Sequence, residues 1–270
     1  FLEEVIARQA RLIAQWLLVG FIHGVMNTDN VSIAGETIDF GPCAFMDEYN
    51  PTQVFSSIDQ MGRYAYARQP DIAQWNLARF AETLLPLLAD DQDHAVGLAS
   101  EVINEFASRF EARWLEVMGA KLGLEQPCTA DRTLIRDLLQ LMEGAGADFT
   151  LTFRSLNGLP EASFRTELLD EVLPPSAGRA AWLAAWRSRL TVQGDLASAA
   201  ARLGRANPLY IPRNHRVEQM IEAAIEHGDF SLFERLNDVL ASPCEARVEH
   251  AAYARPPESH ERVTRTFCGT

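Results

Sequence analysis

The amino-acid sequence predicts a mainly α-helical fold with one small β-hairpin. Three observations carry this. Apolar residues recur at helical spacing over residues 1–21. They do so again in a succession of segments from about residue 71 onward. Between these regions only Val31–Ser32–Ile33 and Thr37–Ile38 have the character of strands.

Taken in order, Leu2, Val5, Ile6, Ile13, Trp16, Leu17 and Gly20 fall on one face, so residues 1–21 form an amphipathic helix. Turn formers then cluster at Gly24, Asn27, Asp29, Asn30 and Gly35. Val31–Ile33 and Thr37–Ile38 are expected as two short strands joined at Ala34–Gly35–Glu36, with Asp39–Pro42 ending the second. Asp71 is expected to cap a helix through Leu84 that breaks near Pro86. Asp93 opens another, running to about Leu122. A third follows Thr129–Asp131 and stops in Gly144–Gly146. More helices are expected at 161–173, 178–190, 195–204, 214–227 and 231–241. Asp148–Phe153 reads equally as strand or helix. Trp75, Trp114, Trp182 and Trp186 sit at apolar helical spacing and are expected in the core. Residues 1–255 are read as the folded region and 256–270, with Pro256–Pro257, as a flexible tail.

Composition narrows the function. The chain has 270 residues, 47% hydrophobic and 23% charged, which supports a core of ordinary size and excludes global disorder. No stretch reaches eighteen apolar residues, so no membrane span is expected. Twenty-four basic against 37 acidic residues leave a net charge of −13, which disfavours nucleic-acid and anionic-membrane partners. A metal–nucleotide site stays open, because Mg²⁺ or Mn²⁺ brings its own positive charge. Lys121 is the sole lysine, as in proteins of GC-rich bacterial genomes, so no chemistry needing an earlier lysine is housed here. Cys43, Cys128, Cys244 and Cys268 are far apart with no CxxC pair, which fits a reducing compartment such as the bacterial cytoplasm. Residues 1–21 lack the layout of a signal peptide, and a helix opening this abruptly is expected to follow other polypeptide.

The chemistry concentrates in His23-Gly-Val-Met-Asn-Thr-Asp-Asn30, followed nine residues later by Asp39-Phe-Gly-Pro42. Kinase-type phosphoryl transfer needs an Asn at the end of the catalytic loop and the Asp of a D-F-G element, both as metal ligands behind the triphosphate. Asn30 and Asp39 have that spacing, and their hard oxygens suit Mg²⁺ or Mn²⁺. The proton-accepting Asp of kinase loops would stand two residues after the His. Val25 is there instead, and a carboxylate reappears at Asp29. Asp29 either caps a turn in a catalytically dead remnant or serves altered nucleotide chemistry. His23 is expected to hold the loop beneath the Asp39 turn. Asp59, Arg63 and Tyr64 either line the cleft or form a surface-to-core hydrogen-bond cluster. Pro212 before Arg213–Asn214–His215–Arg216 marks a helix start, and four residues make no nucleic-acid patch.

These motifs, with Asp59-Gln-Met-Gly-Arg-Tyr64, Gln69-Pro70, Trp75-Asn76-Leu77 and Asn207-Pro-Leu-Tyr-Ile-Pro-Arg-Asn214, resemble the selenoprotein O family from Phe1 to Thr270. Cys268 stands third from the end, where some members carry selenocysteine. The resemblance implies the large lobe of a protein kinase-like fold plus a helical C-terminal extension. It implies transfer of AMP from ATP to Ser, Thr or Tyr hydroxyls of proteins, releasing pyrophosphate, with Mg²⁺ or Mn²⁺ as cofactor and the ATP held in flipped orientation. Carried over, Asn30 and Asp39 are metal ligands, Asp39 thereby helps hold the nucleotide, Asp29 is the proton acceptor and Cys268 is a redox candidate with no partner chosen. The family's small lobe, with its Lys–Glu pair, would precede the loop. Only twenty-two residues do so here, so the chain is expected to lack it. A true phosphotransferase and a non-catalytic binding module are the alternatives.

Overall fold

The computed structural model describes residues 1–158 and 167–267. It is mainly helical, and the described residues fall into two compact units. The first comprises Phe1–Ala44, Pro51–Trp114 and the chain from Arg265. The second comprises Phe45–Asn50 and Leu115–Thr264.

In the first unit, α1 (Leu2–Val19) buries Val5, Ile6, Ile13 and Leu17, the stripe that the periodicity marks. α2 (Gln69–Leu88), which buries Ala73 and Leu77, packs on α1 and on α3 (Gln92–Asn104). β1 (Phe21–Ile22) and β2 (Ala44–Phe45) make a two-stranded sheet. The small sheet therefore exists, but it brackets the loop instead of lying within it. Val31–Ile33 and Thr37–Ile38 carry no strand, which corrects the expected hairpin. Side chains have taken the carbonyls that cross-strand pairing would need. Ser32 O accepts from Gln9 Nε2 of α1 (2.6 Å) and from Gly35 N (3.0 Å), and Ile38 O is held by His23. The turn lies flat on α1: Gly35 has φ +72°, and a Cβ there would sit 2.6 Å from Arg8 Cβ.

Other expectations change as well. Asp91, not Asp93, caps α3, accepting from His94 N at 2.8 Å. The helix expected from there to Leu122 turns at Glu105 and resumes as α4 (Phe106–Lys121). α2 continues through Pro86 to Leu88, ending within a turn of it. Trp75 is 42% exposed, with the Arg63 guanidinium 4.8 Å and that of Arg79 5.6 Å from its ring. Trp114 is half-buried. Trp182 and Trp186 are core as expected, stacked 5.6 Å apart.

The second unit packs α5 (Asp131–Ala145) against α8 (Ala177–Gln193). Asp148 settles the ambiguous segment: its Oδ1 accepts from Leu151 N at 2.8 Å and so caps α6 (Phe149–Ser155). Of the helix expected at 161–173, α7 (Glu167–Val172) is described and the earlier residues lie outside the description. α9 (Leu196–Ala206), α10 (Asn214–His227) and α11 (Ser231–Ala241) follow as expected, and α12 (Ala251–Ala254) adds one turn.

Candidate nucleotide and metal site

The loop between β1 and Asn30 is a mesh of neutral hydrogen bonds. His23 is fully buried between Trp16, 5.2 Å away between centroids, and Phe21. Its Nε2 lies 2.8 Å from Ile38 O, a carbonyl that can only accept, so Nε2 carries the proton. Nδ1 then accepts from Val25 N at 3.4 Å. Burial pulls the His23 pKa below its ordinary value, against the raising effects of the Ile38 carbonyl and Asp39, and keeps this tautomer neutral. His23 thus holds the loop, as the sequence suggests, by fixing the residue before Asp39.

Val25, where a kinase base would stand, is buried and spans the loop. Its carbonyl accepts from Asn30 Nδ2 at 3.0 Å. Asn30 N donates to Asn27 O at 3.0 Å, closing the single 3₁₀ turn Thr28–Asn30. The chain of contacts Asn30–Val25–His23–Ile38 therefore ties Asn30 to the Asp39 turn. With its amide nitrogen committed, Asn30 presents Oδ1, which takes no hydrogen bond from the described residues.

Asp39 is exposed and has φ +53°, the only positive φ outside glycine among the described residues. Such a conformation costs energy unless its surroundings hold it, and it clusters at functional sites. The turn is held at both ends. His23 grips Ile38 before it. After it, Gly41 N donates to Asp39 Oδ1 (3.4 Å) and Cys43 N to Phe40 O (3.3 Å). Gly24, with φ +84°, lets Pro42 O approach to 2.9 Å from where a Cβ would stand. Burial, and then the Asp39 carboxylate, push the half-buried Cys43 thiol up to about 11. Asp29 is exposed on the 3₁₀ turn.

Among the described residues, no group of three or more His, Cys, Asp or Glu side chains gathers as a ready-made metal cage. The donors present are Asn30 Oδ1 and the two exposed carboxylates. That set fits a divalent cation whose remaining ligands are phosphate oxygens and water.

Other motif residues turn out to hold the loop. Gln69 Oε1 accepts from His23 N (3.0 Å), while its Nε2 donates to Phe21 O (2.9 Å). Asn76 Nδ2 donates to Met26 O at 2.9 Å. Gln69 and Asn76, seven residues apart on α2, both bond the loop; that spacing, two turns of helix, is the sequence signal that could have found them. Asp59 accepts from Arg63 N (2.8 Å) and Tyr64 N (2.7 Å), and Tyr64 Oη donates to Asn27 Oδ1 at 2.6 Å. Asp59, Arg63 and Tyr64 are thus a hydrogen-bond cluster that reaches the loop through Asn27. Cys268 lies outside the described residues. Cys43, Cys128 and Cys244 are free thiols. No helix of the described residues is long and apolar enough to cross a membrane.

Comparison with known proteins gives a consistent family. The model of the family described as protein adenylyltransferase SelO matches residues 1–241. A protein nucleotidyltransferase YdiU of Rhizobium etli is 57% identical over 274 residues, covering 99% of this chain and 54% of the relative. Proteins of the same name in Rhizobium meliloti and Rhodopseudomonas palustris are 56% identical over 271 residues and 52% over 270, each covering 100% of this chain and 55% of the relative. The chain spans about half the length of the curated relatives it matches.

Proposed function

The chain belongs to the protein adenylyltransferase SelO family, and from that membership we propose that it carries the metal-binding and proton-accepting part of a site that transfers AMP from ATP to protein hydroxyls. The acceptors are Ser, Thr or Tyr side chains, and pyrophosphate is released. The fold that suits this activity is the large lobe of a kinase-like domain with a helical extension. The activity is proposed for the chain acting with the part of the relatives' length that it does not span.

The observation that carries the reading is the contact chain Asn30–Val25–His23–Ile38, which sets an Asn amide oxygen and an αL Asp carboxylate from one rigid loop. Asn30 Oδ1 and the Asp39 carboxylate would hold Mg²⁺ or Mn²⁺, which when bound offsets charge on the phosphates. Asp29, exposed on the 3₁₀ turn, would take the proton of the acceptor hydroxyl. As that proton leaves, the hydroxyl oxygen bonds to the α-phosphorus, and the bond from the α-phosphorus to the oxygen bridging to the β-phosphate breaks. Val25 supports AMP transfer over phosphorylation. It is apolar and buried, and its backbone is already used on both sides, so no base stands at the kinase position.

ATP labelled on either the α- or the γ-phosphate tests this in the full-length protein. Label from the α-phosphate should enter a protein acceptor, and γ-label in the acceptor would show a phosphotransferase instead. Asp29→Asn should cut kcat by about 10²- to 10⁴-fold, the worth of a general base, with little loss of nucleotide affinity. Equal loss of both would make Asp29 a structural residue.

A further inference from the structure

The loop carries a donor with no role in the reading above. Asn27 precedes the 3₁₀ turn Thr28–Asn30 and is exposed. Its carbonyl accepts from Asn30 N (3.0 Å), which makes it part of the turn. Its Oδ1 accepts from Tyr64 Oη at 2.6 Å, while its Nδ2 makes no hydrogen bond among the described residues. An amide oxygen can only accept, so Tyr64 gives the proton and the amide is turned one way. The amide is planar, with oxygen and nitrogen on opposite branches of one carbon. With Oδ1 on the phenol, the N–H bonds of Nδ2 are directed away from Tyr64. Tyr64 itself is a firm mount, 7% exposed. Its N donates to Asp59 Oδ2 (2.7 Å), and Arg63 N donates to Asp59 Oδ1 (2.8 Å). The Arg63 guanidinium lies 5.8 Å from the Tyr64 ring and 4.8 Å from that of Trp75. The motif Asp59–Tyr64 thus ends in one hydroxyl that reaches the loop at Asn27, and all of these residues belong to the first unit.

We infer that Asn27 is a further binding residue of the site: its Nδ2 donates to a non-bridging oxygen of the nucleotide's α-phosphate, and Tyr64 is the positioning residue that fixes its amide. This rests on the reading of Asp29 as the proton acceptor for AMP transfer. The physical reason is the balance of donors and acceptors on the turn. The carboxylates of Asp29 and Asp39 and the Oδ1 of Asn30 are all acceptors. They suit a metal ion or a proton, whereas a phosphate oxygen offers lone pairs and needs donors. Asn30 Nδ2 already donates to Val25 O, and Thr28 borders the cavity between α1 and α2. Asn27 supplies the open amide donor, two residues before Asp29 on the same turn. The hydroxyl that Asp29 deprotonates attacks the α-phosphorus, and negative charge builds on the non-bridging oxygens as that bond forms. A donor already oriented by Tyr64 meets this charge without reorganising, and a neutral amide does so without repelling the metal.

The test is a double-mutant cycle of Asn27→Ala and Tyr64→Phe in the full-length protein, read by transfer kinetics and by calorimetric titration of ATP with Mn²⁺. Asn27→Ala should lower kcat/KM about 10- to 10²-fold, the worth of one partly exposed donor to the developing charge. It should weaken ATP binding by a smaller factor, about three- to tenfold. Asn27→Asp keeps the acceptor for Tyr64 and loses the donor, so it should fall at least as far. Because Asn27 is exposed, neither variant should move the unfolding midpoint. Tyr64→Phe keeps the ring but frees the amide. It should cost about three- to tenfold in kcat/KM, and nothing further when added to Asn27→Ala. Unchanged ATP affinity and transfer in Asn27→Ala and Asn27→Asp would overturn the proposal. A lowered unfolding midpoint that tracks the loss would do so too, leaving Asn27 a structural residue. An equal cost of Tyr64→Phe with and without Asn27 would overturn the positioning role. If Tyr64→Phe does not fold, Asn27→Asp, which leaves the Tyr64 bond in place, separates a lost donor from a loosened loop. Entry of γ-label into the acceptor in the wild type would overturn the AMP reading alone; the same cycle read on ATP affinity still decides whether Asn27 holds a phosphate oxygen.

Discussion

Two polar clusters of this protein handle carboxylates in opposite ways. Around residues 23–41 the buried groups are neutral: an imidazole, amides and backbone carbonyls satisfy one another, while the carboxylates Asp29 and Asp39 stand exposed with no ion pair to the described residues. Around Arg213 the carboxylates of Asp47 and Asp148 are themselves drawn in and held by a buried guanidinium, and burial raises the Asp47 pKa against the lowering effect of Arg213. Carboxylates already paired with Arg213 have little capacity left for a ligand. Those left open on a rigid neutral frame can take one. The difference separates a candidate site from a structural joint, although both contain two Asp residues.

The largest effect should come from removing the open charge. Asp39→Asn keeps a residue that tolerates the αL backbone but lacks the carboxylate. In the full-length protein it should lower AMP transfer by about 10²- to 10³-fold or more. Its unfolding free energy should stay within about 0.5 kcal/mol of wild type, because the group is exposed. Retained transfer would remove Asp39 from the mechanism. Arg213→Ala should do the reverse in kind: it strands two carboxylates in the interior and should cost about 3–5 kcal/mol in denaturant unfolding. A cost below about 1 kcal/mol would show that water reaches the cluster, and the contrast between the two regions would fail.

These regions were also unequally legible in the sequence. Helices declared themselves by apolar period, but Asp148–Phe153 did not: there only the bond from Leu151 N to Asp148 Oδ1 decides for α6. The loop role of His23 could be read from the sequence and is borne out by its bond to Ile38 O, whereas the metal-ligand role of Asn30 and Asp39 rests on spacing and stands as the proposal made above. The hairpin could not. Val31–Ile33 has strand composition, but Gln9, more than twenty residues earlier, takes the Ser32 carbonyl, and a tertiary bond of that kind leaves no periodic trace. The bond from Phe45 N to Asn214 Oδ1 was invisible for the same reason: 169 residues separate them. Trp75 sits at apolar helical spacing, yet its ring meets the guanidinium groups of Arg63 and Arg79 at the surface, a contact that the apolar period does not reveal.

The smallest effect concerns a buried amine with no carboxylate partner among the described residues, which tests whether pairing is what distinguishes the Arg213 cluster. Lys121 is 1% exposed, with Nζ 4.4 Å from the Phe153 ring centre and 5.4 Å from that of Phe149. Burial pushes its pKa down to about 7, opposed by Cys244. The unfolded chain holds this proton up to about 10.5, so between those values it binds more protons than the folded protein, and stability must rise with pH. Lys121→Met fills a similar volume and removes the amine. It should stabilise the protein by about 1–3 kcal/mol near pH 7, with the gain shrinking toward pH 10.5 as the wild-type penalty fades. Thermal or denaturant unfolding at pH 7 and pH 10 measures both. A destabilised Lys121→Met at pH 7 would mean that the two aromatic faces compensate the ammonium as fully as Asp47 and Asp148 compensate Arg213. Burial of a cation in this fold would then not depend on a carboxylate partner.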